Sequence, residues 1–424
     1  MKIHIKNGHV IDPKNKIDAK LDIFVVDGVI ASVGAVPAGL QEYKVIDASG
    51  LIVAPGFVDL SARLREPGAE YKANLASELQ AAAAGGVTSL ACPPDTTPVL
   101  DEPGLVEMLK HRAKQLNLAR VYPLGALTKG LNGEYLTEMC ALTEAGCVGF
   151  SQADIAVTDT QVLWRAFEYA ATFGYTLFLR AEDYYLAKNG VMHDGEVASR
   201  LGLKGVPVAA EALAIASLLR IASETKTKLH LCRVSSAEGV NLIRAAKKQG
   251  IAVTADVSCQ HIHLTDNDIG YFNAHANIRP PLRSLRDKDA LCAGLKDGTI
   301  DAICSDHAPI NDDAKLLPFA EAEAGAASLE LLLPLTLKWM QQHKLSLADA
   351  INKISLQPAC ILAVQAGHLS INADADIAIF NPDTHWKVTA ESLKSQGKNT
   401  PFLGLELAGK VHYTLLHGQI TYQI

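Results

Sequence analysis

Arginines and single carboxylates stand where short apolar segments of this chain end. Arg63, Arg180 and Arg233 each close such a segment, and Asp306 follows another. A guanidinium offers only hydrogen-bond donors and stays protonated in proteins, so it pairs with anions and does not ligate metal ions. A carboxylate among such groups is either a general base or an ionic partner of the arginines. The residue types allow both roles, and we favour the ionic partner for Asp306.

Two further residue pairs could carry chemistry. His261 and His263 have the i, i+2 spacing of a metal-ligand pair, although a pair without a third ligand is more often structural. Cys232 precedes Arg233, whose charge could activate the thiol, but a buried strand cysteine is the commoner case. We therefore favour the structural interpretation of both pairs.

The segments that must position these residues alternate in type between about Pro55 and Val364. Apolar or β-branched runs predict eight strands, namely Val58–Leu64, Thr88–Cys92, Arg120–Ala126, Val148–Ser151, Thr176–Ala181, Lys228–Val234, Ile251–Val257 and Asp301–Ser305. Helical periodicity separates most of them, at Leu75–Ala84, Val162–Thr172, Ala209–Ser223 and Gly239–Gln249. This alternation predicts an α/β fold, a (β/α)8 barrel over residues 55–364, with its active site at the carboxyl ends of the strands.

Both ends of the chain have a different pattern. Lys2–Ile5, Asp22–Val26 and Val29–Val33 alternate as strands do, and Asp27-Gly28 predicts a hairpin turn. The last sixty or so residues behave in the same way, with strands at Ala375–Phe380 and Val411–Leu416 and a turn at His417-Gly418. We expect residues 1–54 and 365–424 to form one small β-sandwich domain.

The composition excludes several classes of protein. The 424 residues include 39 Lys and Arg against 46 Asp and Glu, a net charge of −7, which argues against a nucleic-acid partner. No apolar run reaches the length of a membrane span, and the N-terminal residues lack the apolar stretch of an export signal. The eight cysteines are scattered without a CxxC pair, as in reduced proteins. We expect a cytoplasmic protein that binds neither nucleic acid nor membrane.

Several motifs along the whole chain resemble those of the bacterial dihydroorotases of the amidohydrolase superfamily. They are PGFVDLSARLREPG (Pro55–Gly68), RPPLR (Arg279–Arg283), SDHAP (Ser305–Pro309), SLELLLPL (Ser328–Leu335), DADIAIFNP (Asp374–Pro382) and NTPFLG (Asn399–Gly404). The resemblance implies a metal-dependent barrel enzyme of pyrimidine biosynthesis that closes carbamoyl-aspartate to dihydroorotate. It also implies a β domain split between the two termini.

The positions of the family's metal ligands carry other residues in this chain. They are Ser61 and Arg63 for the two histidines of strand one, Gln152 for the bridging carboxylate or modified lysine after strand four, and Arg180 and Arg233 for the histidines of strands five and six. Only the strand-eight carboxylate, Asp306, is retained. Zn²⁺ needs about four deprotonated N, O or S ligands. The resemblance implies zinc, but these residues predict that no metal is bound.

The positions that hold the substrate in the family are altered as well. Arg65 matches the arginine that binds the substrate carboxylate, and His307 is also retained. The usual asparagine partner of that arginine is Asp95, which would repel a carboxylate, and two other family positions are Arg279 and Ile310. Arg65 could instead pair with Glu66 or Asp306, and His307 could be a hydrogen-bonding group of the scaffold.

Two hypotheses follow. In the first, the chain is an inactive relative of dihydroorotase that serves as a structural subunit for the catalytic chain of aspartate carbamoyltransferase and associates with itself, as the resemblance to such subunits implies. In the second, it is an active dihydroorotase, or another cyclic-amide hydrolase, with an altered metal site. The missing ligands favour the first hypothesis and make an enzymatic role doubtful.

Overall fold

The two ends of the chain build one β domain. The structure is a computed structural model that describes residues 2–36 and 43–424, so residues 1 and 37–42 of the predicted domain lie outside the described residues. One sheet has four strands, in the order Val29–Val33, Ile23–Val26, Lys2–Lys6 and Lys44–Asp47. A second sheet has six, in the order Gln419–Gln423, Glu406–Leu416, Ile377–Lys387, Ile52–Pro55, His9–Asp12 and Ile17–Lys20. The second sheet joins strands from both termini, as the sequence predicts.

Alternating apolar residues hold these two sheets together. In Lys2–Lys6 the side chains of Ile3 and Ile5 are buried and those between them are not. They share a core with Val53 and Ile377 of the other sheet. Burial of one face per strand is what a period of two residues requires.

Both predicted hairpin turns are present. Val26 pairs with Val29 across Asp27-Gly28, where φ is 48° and 87°. Leu416 pairs with Gln419 across a His417-Gly418 turn with φ values of 45° and 71°. Two consecutive residues with positive φ form the turn whose twist matches that of paired strands, and glycine adopts such angles without strain.

Eight parallel strand segments form the barrel. They are Phe57–Asp59, Val87–Cys92, Arg120–Pro123 continued by Gly125–Ala126, Phe150–Ser151, Thr176–Leu179, Lys228–Leu231, Val253–Ser258 and Ala302–Cys304. The third strand breaks at Leu124, whose amide still bonds to Cys92 of the second strand. The barrel closes where Asp59 of strand one accepts the Ser305 amide at 2.7 Å, beyond strand eight.

The first strand is shorter than the sequence suggested. We predicted Val58–Leu64, but the regular strand ends at Asp59. Beyond it, only Ala62 forms an isolated bridge with His307, and Arg63 N donates to the His307 carbonyl at 2.8 Å. The strand therefore gives way to an irregular segment in which Ala62 and Leu64 remain in the core while Arg63 and Arg65 line a cavity at this end of the barrel.

A helix follows each barrel strand. These helices are Leu75–Ala84, Pro103–Leu116, Met139–Ala145, Thr160–Phe173, Val208–Thr225, Ala237–Lys248, Leu285–Asp297 and Leu332–His343. Shorter helices are Tyr184–Ala187, Glu196–Leu201, Asp312–Lys315, Leu347–Ile354 and Leu356–Leu362, and a two-stranded parallel pair is formed by Met192–His193 and Gly205–Val206. The first helix has the predicted bounds, because Asn74 caps its first turn and the chain leaves the helix at Gly85.

A long connection in the β domain crosses onto the barrel. It joins Ile377–Lys387 to Glu406–Leu416, and within it Lys394 and Ser395 donate their amides to the buried Glu330 carboxylate. Asn399 then donates its side-chain amide to the Ala308 and Gly325 carbonyls, both at 3.0 Å. The connection thereby fixes the loop that follows barrel strand eight.

In the described part of the chain, no helix is both long and apolar enough to cross a membrane.

Candidate functional site

The carboxyl ends of the barrel strands surround a cavity of about 700 Å³. The charged side chains that line it are Arg63, Arg65, Asp95, Asp154, Glu182, Lys188, Arg279, Asp306, Glu321 and Glu323. Strand ends one, two, four, five and eight contribute to this set, as expected for a barrel of this type. Of the predicted site residues, Arg63, Arg65 and Asp306 line the cavity. The contacts of each predicted residue show what its side chain does.

Arg63 lies at the centre of the site with its guanidinium surrounded by carboxylates. Its Nε donates to Asp95 Oδ2 and its Nη2 to Asp154 Oδ2, both at 2.7 Å. Nη1 lies 3.7 Å from Asp306 Oδ1. Burial alone would lower the pKa of Arg63, but Asp154 and Asp95 outweigh it and raise the pKa. The group is a permanent cation.

Asp154 is the hub of the network, and the sequence analysis missed it. It accepts from Arg63, its Oδ1 lies 2.9 Å from Arg180 Nε, and Arg233 Nη2 donates to the same oxygen. Burial would raise the pKa of Asp154, but Arg233, Arg63 and Arg180 together hold it well below its usual range. One carboxylate therefore joins all three arginines that the sequence analysis singled out.

Gln152 does not take part in this network. Its Oε1 accepts from Thr128 Oγ1 at 3.0 Å and its Nε2 donates to the Leu131 carbonyl at 2.8 Å, so the side chain is used within the scaffold. The next residue, Ala153, has a φ of 51°, and the chain turns there before Asp154 reaches the cavity. For Asp154, the only signal in the sequence was that an acidic residue follows the fourth strand by a few positions.

The other two arginines have further carboxylate partners. Arg233 Nη1 donates to Asp306 Oδ1 at 3.0 Å. Arg180 donates through Nη1 and Nη2 to the two oxygens of Glu182, at 2.7 and 2.8 Å. Arg233 and Asp306 have positive φ values of 55° and 47°, an uncommon conformation outside glycine that is found at functional sites. Asp306 is therefore paired with arginine, as we favoured, but with Arg233 and Arg63 and not with Arg180.

The donor set does not fit a metal ion. At four positions where the resemblance implies metal ligands, the side chains are three guanidiniums and an amide that is engaged elsewhere, and guanidiniums offer no lone pair to a cation. Within the described residues no group of three or more His, Cys, Asp and Glu side chains is placed to hold a metal. Asp154 and Asp306, two acids that line the cavity, already accept from arginine.

Arg65 has partners other than the two that we proposed. Its Nε donates to the Pro309 carbonyl at 2.9 Å, and Nη2 lies 4.0 Å from Glu323, so the predicted pairs with Glu66 and Asp306 are wrong. Glu66 instead pairs with Arg112 and accepts the Leu75 amide, because the chain turns away from the cavity after Arg65.

His307 faces the interior and cannot contact a molecule in the cavity. Its Nδ1 accepts the Ser328 amide at 2.9 Å, so Nε2 carries the proton and donates to Glu78 at 2.6 Å. Both side chains are fully buried. The substrate-binding role predicted for His307 is wrong, and the scaffold alternative is correct. Ser61 is also buried, and its carbonyl accepts the His307 amide at 2.9 Å.

The remaining candidates are structural. His261 bonds to Ser258 Oγ and to the Pro281 carbonyl, whereas His263 bonds to the Leu335 carbonyl, so they do not share a metal site. Burial lowers the pKa of His263 to about 4. Burial also raises the pKa of Cys232 well above its usual value, which favours the structural interpretation of this thiol.

Comparison with solved structures defines the class of protein. The L-hydantoinase (dihydropyrimidinase) of Arthrobacter aurescens superposes with a TM-score of 0.89 at 25% identity and covers 99% of this chain and 96% of its own. A model of the amidohydrolase family matches residues 185–421, and a dihydro-orotase-like model matches residues 50–239. The expected fold, an amidohydrolase-type barrel with a β domain from both termini, is confirmed.

Full-length relatives narrow the family. A dihydroorotase-like protein of Pseudomonas putida is 43% identical over 99% of both chains, and one of Pseudomonas aeruginosa is 42% identical over the whole of both. A dihydroorotase of Geobacter sp. (strain M21) is 41% identical, also over the whole of both chains. This chain belongs to the dihydroorotase-like family.

Proposed function

We propose that this chain is a dihydroorotase-like protein of pyrimidine biosynthesis without hydrolase activity, which serves as a structural subunit for aspartate carbamoyltransferase. The observation that carries the proposal is the placement of Arg63, Arg180 and Arg233 around Asp154. Their guanidiniums stand where the family has metal ligands, so the chain binds no catalytic zinc.

The loss of the metal removes the reactive groups of the family's chemistry. A bound metal supplies a nucleophile by lowering the pKa of water to about 7, and it polarises the carbonyl that is attacked. Asp306 could act as a base without a metal, but its Oδ1 already accepts from Arg233. Among the described residues, the two acids best placed to activate a water without a metal, Asp154 and Asp306, already accept from arginine.

A structural role agrees with what the chain has kept. The chain has the buried cores of the barrel and of the β domain and a capped first helix. In the cavity, ion pairs occupy positions where the family has metal ligands. Fold and catalysis are separable, and a fold kept without its chemistry still offers its surface. The resemblance to dihydroorotase-like subunits supplies the partner, the catalytic chain of the transferase. We also propose that the chain self-associates and acts in the cytoplasm.

Metal content and activity test the loss of catalysis. The purified chain and the Geobacter relative named dihydroorotase, as positive control, are loaded with Zn²⁺, freed of excess and assayed by elemental analysis and by turnover of carbamoyl-aspartate and dihydroorotate. We expect less than 0.1 equivalent of metal, and no turnover above background for this chain. Stoichiometric zinc with turnover of roughly 1 s⁻¹ or more would favour the second hypothesis, an active hydrolase.

Co-expression with the transferase from the same organism tests the structural role. Size-exclusion chromatography with light scattering is expected to give one species heavier than either component, and transferase activity is expected to depend on this chain. Separate elution at all micromolar concentrations, with full transferase activity in the isolated transferase, would refute the assembly role.

A further inference from the structure

A second, apolar groove lies between the helices that follow barrel strands four and five. Its volume is about 190 Å³, and the buried side chains of Leu163, Leu179 and Leu218 form part of its wall. Four large hydrophobic side chains that line it are exposed, namely Ile155, Tyr184, Tyr185 and Leu213. Exposed apolar side chains that gather around one groove usually mark a contact surface for another molecule.

The charged side chains at this groove balance one another. Among the described residues that line it, these are Arg180, Glu182 and Asp183. Arg180 donates to both oxygens of Glu182, and Asp183 accepts the Leu186 amide at 2.9 Å. Lys188 adds a second cation, since its Nζ stands 5.7 Å from the centre of the Tyr184 ring. A surface with two cations and two acids does not select a strongly charged partner, and it does not repel a copy of itself.

The same surface carries both a projection and a recess. Tyr185 belongs to the single-turn helix Tyr184–Ala187, lines the groove and is 75% exposed. A cavity of about 150 Å³ holds a benzene ring. The groove, at about 190 Å³, therefore has room for a tyrosine ring. A two-fold interface needs both shapes on one surface, because each copy contacts the other through the same residues.

The exposed apolar area is large enough for the centre of an interface. At about 200 Å² for a tyrosine side chain, the exposed parts of Tyr184 and Tyr185 amount to roughly 240 Å². This is about a third of the ~800 Å² that each partner buries in a standard interface, and Ile155 and Leu213 add to it. An apolar centre surrounded by a polar rim is the usual composition of such a contact.

We infer that this groove is the surface through which two copies of the chain associate, packed about a two-fold axis with the Tyr185 ring of each copy in the groove of the other. The neutral charge balance, the projection beside the recess and the apolar area together favour a second copy over a partner of different chemistry. The inference rests on the self-association within the proposed function and names its contact.

Sedimentation velocity of the full chain without the transferase, from about 1 to 100 µM, tests this inference. The variants are Tyr185→Ser and Leu213→Lys. Tyr71→Ser is the control, because Tyr71 is 67% exposed and follows strand one, across the barrel from strand five. Loss of a central aromatic side chain weakens binding about 30-fold, and a two-fold interface carries each substitution twice. The dissociation constant of the dimer should therefore rise about 1,000-fold in Tyr185→Ser. Leu213→Lys adds a charge to the apolar centre of each copy and should also give monomers.

Each outcome bears on a distinct statement. A wild-type dimer that both groove variants convert to monomer, with the control unchanged, supports the inference. A dimer that persists in either groove variant, or that is lost in the control as well, overturns the groove as its contact and leaves self-association standing. A monomeric wild type at about 100 µM overturns the self-association of the proposed function together with the inference. Co-elution with the transferase is measured for the same variants, and a variant that stays dimeric but loses the transferase would assign the groove to that partner instead. Circular dichroism separates loss of the contact from loss of fold.

Discussion

Replacing Asp154 by asparagine should destabilise the barrel, because this one carboxylate joins three buried cations. Arg63, Arg180 and Arg233 are 7%, 3% and 4% exposed, and the Asp154 side chain is 26% exposed. Breaking a buried ion pair costs about 3–5 kcal/mol. Each arginine keeps at least one other carboxylate, so we expect the lower end, about 3 kcal/mol, for Asp154→Asn.

Differential scanning calorimetry measures this loss. An unfolding entropy of roughly 2.1 cal/mol/K per residue over 424 residues gives about 0.9 kcal/mol/K, so the melting temperature should fall by about 3 °C. Asp297→Asn is the matched control, because that carboxylate is 46% exposed and pairs with the surface residue Arg244. Its loss should cost at most about 1 kcal/mol, or about 1 °C.

The pH dependence of the difference gives a second test. The pKa of Asp154 is lowered in the folded state, so its contribution is complete above the pKa of the unfolded chain and is lost only as pH falls through the folded value. The stability gap between wild type and Asp154→Asn should therefore be constant from pH 8 to about 5 and close only in stronger acid. Arg233→Gln should also cost less in the Asp154→Asn background than in the wild type.

Equal melting temperatures for wild type and Asp154→Asn would refute the reasoning. That result would mean that water screens the four charges and that their contacts contribute nothing measurable. A gap that opens only at acidic pH would be equally damaging, because it has the wrong sign for a carboxylate with a lowered pKa.

Three further predictions concern the residues around this network. Asp306→Ala should cost on the order of 3 kcal/mol in urea unfolding, since it leaves Arg233 with one acid fewer, and an unchanged midpoint would contradict the pairing. Burial raises the pKa of Glu330 to about 7, so the free energy of unfolding of the wild type falls as pH rises towards that value. Glu330→Gln lacks this ionisation and should therefore become more stable relative to the wild type between pH 5 and 8. A difference in urea midpoints that stays constant over this range would oppose the prediction. A variant with histidine in place of Ser61, Arg63, Arg180 and Arg233 should bind Zn²⁺ beside Asp306, as measured by titration against a chelator. The single substitution Arg63→His should not bind it.

Elements with strong periodicity could be predicted from the sequence. The helix Leu75–Ala84 was predicted with its observed bounds, since both its apolar face and its capping residues are local signals. The turn at Asp27-Gly28 was predicted for the same reason. The first barrel strand was overestimated because apolar residues continue beyond Asp59 while the backbone becomes irregular. Burial alone does not distinguish a strand from a buried loop.

The contacts of the site could be predicted only in part. The sequence places arginines at positions where the resemblance implies metal ligands, because that comparison depends only on position along the chain. The partner that joins them, Asp154, follows a residue with positive φ at Ala153, and nothing in the residue types there requires that turn. The interior position of His307 likewise depends on Glu78, which is 229 residues away in the sequence. Such pairings are set by tertiary structure.

The network also explains why the acidic side chains at the carboxyl end of the barrel can lie close together in spite of their like charge. Asp95, Asp154, Glu182 and Asp306 come from four different strand ends, and without cations they would repel one another across a small volume. Three guanidiniums lie between them and bond the end of strand one to strands two and four, strand five to strand four, and strand six to strands four and eight. Because three cations share the task, we expect that one histidine introduced in place of an arginine would leave two arginines to repel a metal ion. We propose that the arrangement stabilises the fold and that no single substitution of these arginines gives a metal site.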